Sequence, residues 1–264
     1  MSTEFRPLKD LQTKRGLAVT GVVDEDNWSN LIEDSGTAGL SRQMSDIIAR
    51  LAQPQRFRDS CTWRLTDTGI AIDAHQPVGT VGIPTTVQNI WKDFGPFIDA
   101  EAQSNSVPVE LIVATIATES GGKANAERHE PGWVSNDATP QSVSIGLMQT
   151  LISTARDTMG NKALSASDLL QPATSIAAGT RYIASQFDTT GFDPPRVACA
   201  YNAGGIYYEP SNTNIWRMRQ FPIGTPDHAN HFIAFFNDFF SLLLGPDIQP
   251  KGPSFAAALK QPSH

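Results

Sequence analysis

Between Pro108 and Gly122 the chain reads PVELIVATIATESGG, and this stretch limits the fold more than any other. Proline suits the first helical position, because its missing N–H would have no partner there. Val109, Ile112, Val113, Ile116 and Ala117 then recur on or near one face at helical spacing, so the helix must lie against a core. From Ile112 onward the run carries no charge until Glu119. That residue falls in the final turn, beside the apolar face and not opposite it. Gly121-Gly122 supplies the left-handed residue that stops the helix and turns the backbone away, leaving room in front of the carboxyl.

A carboxylate so placed meets the negative end of the helix dipole and an apolar wall, and both disfavour its charged form. Its pKa should rise. Two uses fit that environment: a general acid working near neutral pH, as in glycosidases whose acid lies in an apolar pocket, or a helix-terminal Glu that only faces water.

The 264 residues, 40% of them hydrophobic, suffice for one large domain or for a medium domain with a small companion. A net charge of −7, with no Lys or Arg run interleaved with aromatics, argues against nucleic acid as a partner. Cys61 and Cys199 are far apart and lack metal-ligand spacing, so neither a disulfide scaffold nor a structural zinc site is expected. Cys199 has no Gly-rich elbow; His228 and His231, the only nearby candidates for a base, sit in another segment, TPDHANHF. It reads as core packing. No metal or other cofactor is expected.

The N-terminal MSTEFRPLKDLQ has no basic segment followed by an apolar core, so the chain reads as made in the cytoplasm without a Sec signal peptide. The late apolar run FIAFFNDFFSLLLG, residues 232–245, is interrupted by Asn237 and Asp238 and is shorter than the about 20 apolar residues that cross a bilayer. It reads as a core-facing helix, with no stable membrane insertion.

Three segments are expected. Residues 1–34 are a helical segment in which Leu11, Gln12, Gly16, Leu17, Thr20, Gly21, Trp28 and Leu31 resemble the later half of the small peptidoglycan-binding domain, with Asp24 or Asp26 capping the second helix. Such a segment either binds wall material or packs Trp28 and Leu31 against the rest of the protein. Residues 35–84 are a linker, a helix with Met44, Ile47, Ile48 and Leu51 at helical spacing, and a β-hairpin around Asp67-Thr68-Gly69 that continues as an extended arm. That hairpin is the only strand signal. Residues 85–264 are helical to the end.

Four separated motifs follow in order: ESGG at 119–122, SIGLMQT at 144–150, AGTRYIASQF at 178–187 and VACAYNAGG at 197–205. Together they resemble the soluble lytic transglycosylase (SLT) family, over about residues 105–210. The resemblance implies a mainly α, lysozyme-like (α+β) fold of the goose-type lysozyme kind, and peptidoglycan glycan strands as the partner. It implies that Glu119 is the single acid/base at the bond between N-acetylmuramic acid and N-acetylglucosamine. Ser120, Gln149, Tyr201 and Asn202 would line the site, Gly146, Leu147 and Met148 would form a loop whose backbone and thioether face the sugars, and Tyr182 would pack beside Tyr201. Tyr207, Tyr208 and Trp216 are expected to extend the groove. One carboxyl suffices in such enzymes because the substrate's own C6 hydroxyl attacks, leaving a 1,6-anhydro end.

Between the first two motifs lies a long connection, residues 123–143, that departs from the family pattern. It could be a solvated loop, or a substrate wall in which Trp133 stacks on a sugar and Arg128 pairs with a carboxylate. It could also supply a second carboxylate, Glu130 or Asp137, that activates water and makes the enzyme a hydrolytic lysozyme. A non-catalytic glycan-binding protein is the reading from another class. The expected setting is the lysis enzyme of a phage or prophage, or a delivered effector, with a holin-type pore, an injector or an immunity protein as open partners.

Overall fold

The computed structural model describes residues 43–260. The chain divides after Gln43, and all four motifs lie in the unit Met44–His264. The segment 7–33, with Trp28 and its expected cap, lies outside the described residues.

A helix over residues 43–51 (α1) leads into a meander of three antiparallel strands, β1 (Gln55–Arg56), β2 (Thr62–Thr66) and β3 (Gly69–Ile72). Thr66 pairs with Gly69, so the turn sits on Asp67-Thr68 as the sequence suggests. Trp63, Leu65 and Ile70 from this hairpin share one apolar cluster with α1 and with the helices that follow.

The extended arm after β3 leads into α2 (Thr85–Asn105) and α3 (Val109–Ser120). A second small sheet then joins β4 (Glu127–His129), β5 (Val143–Ile145) and β6 (Thr150–Leu151). Helices α4 (Ile152–Met159), α5 (Ala166–Leu169), α6 (Pro172–Ser185), α7 (Phe187–Thr190) and α8 (Pro194–Ala203) come next, followed by α9 (Asp227–Leu244) and α10 (Phe255–Lys260). This is a mainly α, lysozyme-like architecture with small sheets.

Helix α3 is the axis of the unit. Every residue from Val109 to Ala117 is buried, because α2, α9, α6 and α8 all pack around it. The single apolar face expected from spacing is therefore an apolar surface all round, as a central helix requires. Even Glu110 is inside, where its Oε1 accepts from Ser254 Oγ at 2.7 Å and from the Ala256 N–H at 2.9 Å. Burial raises its pKa, and those hydrogen bonds only partly offset it; the buried carboxyl fastens the start of α10 to α3.

The two polar residues inside the apolar run of α9 are anchors. Asn237 accepts from the Ile70 N–H at 2.7 Å and donates to the carbonyls of Ile70 and Val78 at 3.1 and 3.0 Å. Asp238 accepts from the N–H and hydroxyl of Thr80. They tie the hairpin and the arm to the helical core. Among the described residues no helix is long and apolar enough to cross a membrane.

Candidate active site

Glu119 closes α3, and Gly121 ends the helix in the left-handed conformation at φ 62°, where a side chain would be strained. The Glu119 side chain is only 10% exposed. Burial pushes its pKa up to about 7; the positive charge of Arg128 pulls it down and the negative charge of Glu130 adds to the rise. Near neutral pH such a group both holds and releases a proton, as a general acid must.

The second motif is the hairpin turn of the small sheet. Ser144 and Ile145 of β5 pair with Leu151 and Thr150 of β6, so Gly146-Leu147-Met148-Gln149 is the loop between them. Gly146 has φ 79°, and a Cβ there would stand 2.1 Å from the Leu169 carbonyl oxygen, so only glycine fits. Gln149 also has a positive φ, 46°, and its amide donates to the carbonyls of Ala126 and Gly146, each at 2.9 Å.

Side chains from three other elements clamp this loop beside the acid. The Ser120 hydroxyl donates to the Leu147 carbonyl at 2.7 Å. The Tyr201 hydroxyl donates to the Met148 carbonyl at 2.8 Å and lies 3.1 Å from Thr150 Oγ1, while Ser175 Oγ accepts from the Met148 N–H at 3.1 Å. Burial and the nearby Glu119 keep the Tyr201 phenol well above its ordinary pKa, so it stays neutral. Tyr182 packs edge-on against Tyr201, with ring centroids 5.2 Å apart.

Ser120, the loop 146–149, Tyr201 and Tyr182 thus come together through direct contacts, with Glu119 next to Ser120 in the chain and near enough to Tyr201 for its charge to act on the phenol. Several of them face inward. Leu147 and Met148 are fully buried, and the Met148 sulfur fills the space over Gly179, so the thioether packs in the core and does not face a ligand. Trp216 is also fully buried, edge-on against Trp63 at 5.6 Å, and is core instead of groove.

Asn202 joins the acid through a residue that the sequence did not single out for it. Its Oδ1 accepts from the Phe221 N–H, and its Nδ2 lies 3.4 Å from His228 Nδ1. His228, in the first turn of α9, places Nε2 3.6 Å from Glu119 Oε1. Burial lowers the His228 pKa to about 4; His231 and Arg128 act in the same direction and the Ala198 carbonyl opposes them. At neutral pH the imidazole is uncharged, so the pair is no salt bridge. A histidine 109 positions after the acid carries no spacing signal that could reveal the contact.

The connection 123–143 is anchored by β4, whose Glu127, Arg128 and His129 pair with Ile145, Ser144 and Val143. Beyond it the ring of Trp133 stacks on His129 at 3.7 Å and an interplanar angle of 6°, and its indole N–H donates to Asn136. Trp133 is 37% exposed. Glu130 is held by Arg128 at 2.6 Å. Past Gly121 and Gly122 a cavity of about 280 Å³ opens against Thr85, Asn89, Asp93 and Phe94. Glu119 does not line it, so it adjoins the site without forming it.

No curated protein matches the chain. Residues 96–210, which run from within α2 past the end of α8 and include Glu119 and the residues that clamp the loop beside it, match the family model of the transglycosylase SLT domain. That segment is thus similar to the lysozyme-like catalytic domain of an enzyme type that acts on peptidoglycan.

Proposed function

We propose that the protein is a lytic transglycosylase that cleaves the bond between N-acetylmuramic acid and N-acetylglucosamine in peptidoglycan, with Glu119 as its single acid/base. The observation that carries this reading is a carboxyl with pKa raised to about 7 by burial, at the end of α3 inside the segment similar to the SLT domain.

In this scheme Glu119 gives its proton to the glycosidic oxygen as the C1–O bond breaks. The resulting carboxylate then takes the proton of the muramyl C6 hydroxyl while that oxygen closes on C1. A 1,6-anhydro ring results and no water is consumed. The positioned hydroxyl replaces a second catalytic carboxylate, and orientation supplies much of the rate. Ser120, Gln149 and Tyr201 serve this by fixing the loop 146–149 beside the acid. Trp133, with half its indole face committed to His129, offers the other half to a sugar ring.

We place the enzyme in wall lysis by a phage or prophage, or in a delivered effector, acting on the wall after release from the cytoplasm. Purified protein should release glycan fragments from sacculi, and Glu119→Gln should not. Equal lysis by both would remove Glu119 from the mechanism.

A further inference from the structure

His228 lies outside the matched segment 96–210, yet it is the side chain that reaches the acid's carboxyl from α9. The chain of contacts behind it has a direction. The Phe221 N–H can only donate, so the Asn202 atom that receives it is Oδ1. The other end of that amide, Nδ2, therefore faces His228 Nδ1 at 3.4 Å. An amide N–H cannot accept, so this contact favours Nδ1 as the acceptor and the ring proton on Nε2, while the Ala198 carbonyl also hydrogen-bonds the imidazole and competes for that proton. Nε2 is the atom 3.6 Å from Glu119 Oε1.

We infer that His228 is a positioning residue for the acid: Phe221 and Asn202 fix the tautomer of its imidazole so that a neutral Nε2–H is aimed at Glu119 Oε1, ready to bond the carboxylate that forms when the acid gives up its proton. The inference rests on Glu119 being the acid. The separation exceeds a hydrogen bond in the resting protein, as catalytic contacts often do before substrate binds, and it shortens as charge appears on the oxygen. No proton leaves His228 in the cycle; the imidazole lends a donor without lending a charge.

Neutrality matters here. A cation at this distance would hold Glu119 ionised and empty its proton store, whereas a neutral donor stabilises the carboxylate only by one hydrogen bond. The charges around the pair are few. Arg128 of β4 and Glu130 of the following turn face Glu119, while Arg128 and His231 face His228. Tyr201 of α8, also beside Glu119, is neutral.

The test uses the whole chain and two isotope readouts. In wild-type protein with ¹⁵N-labelled histidine, His228 at pH 7 should carry its proton on Nε2 and none on Nδ1. With ¹³C-labelled glutamate, the Glu119 titration midpoint should rise by about one pH unit in His228→Phe, and the alkaline limb of sacculus lysis should move with it. The kcat should fall about tenfold at unchanged KM. His228→Gln keeps an N–H donor at the same reach and should restore most of both. A proton on Nδ1 at pH 7, or a Glu119 midpoint that ignores His228→Phe, overturns the inference. A wild type that leaves sacculi intact overturns the transglycosylase reading instead, since the titration needs no substrate.

Discussion

Glu119 and Glu130 stand close enough for the charge of one to shift the other, and their surroundings are opposite. Glu119 ends a helix buried on every side, its side chain is 10% exposed, and its nearest basic group is a neutral imidazole. Glu130 sits on the exposed connection 123–143, its side chain is 36% exposed, and Arg128 grips it at 2.6 Å. Burial makes the first a proton store. The second is tied to Arg128 at the surface, which holds its carboxyl oxygens away from a free approach to a water. Two carboxyls near one site therefore need not mean the two-carboxylate chemistry of hydrolytic glycosidases.

The largest break in this contrast is Glu119→Gln. It removes the proton but keeps the shape, and lysis of sacculi should fall about 10²–10⁴-fold, measured as turbidity loss. The same variant exposes the stabilising side of the contrast. Because folding raises the Glu119 pKa from 4.5 to about 7, the folded state binds more protons than the unfolded one between those values. Its stability contribution is full below pH 4.5 and is lost as pH rises through 7. The stability of Glu119→Gln relative to wild type should thus improve by roughly 2 kcal/mol between pH 4 and pH 8, read from denaturant melts. His228 runs the other way: its folded pKa is lowered from 6.5 to about 4, so its contribution is present above 6.5 and lost as pH falls toward 4. It is common to both proteins and cancels in the difference.

Smaller effects sharpen the contrast. Glu130→Gln removes a charge that raises the Glu119 pKa and frees the Arg128 charge that lowers it, so the alkaline limb of the activity profile should move to lower pH. Arg128→Ala should move it to higher pH. An unmoved limb in both would mean that the connection does not tune the acid. Trp133→Ala should raise KM a few-fold at constant kcat, worth about 1 kcal/mol of sugar stacking, and should leave the melting curve nearly unchanged because the residue is part-exposed. A large loss of stability there would make Trp133 a structural residue.

What could be read from the chain was whatever repeats or terminates. The helix after Pro108, its stop at Gly121, the hairpin turn at Asp67-Thr68 and the four spaced motifs all announce themselves through period or punctuation. Strands β4, β5 and β6 escaped because runs of two or three residues show no alternation, and β5 is buried on both faces. Glu110 looks like an ordinary first-turn acid until Ser254 and Ala256 arrive from the far end of the chain. Trp216 and His228 are single residues whose partners depend on how α9 and its preceding loop pack, which no local pattern encodes. The motif residues were legible as a group, but their division of labour was not: Ser120 and Tyr201 spend their hydroxyls on the loop's carbonyls, and Met148 turns inward.

The central claim is that one buried carboxyl, with the substrate's own hydroxyl, does the whole reaction. Mass spectrometry of the muropeptides released from sacculi tests it directly. The account predicts 1,6-anhydro-muramyl ends, each lighter by one water than a reducing end, and none from Glu119→Gln; reducing ends from the wild type, abolished by Glu130→Gln or Asp137→Asn, would contradict it.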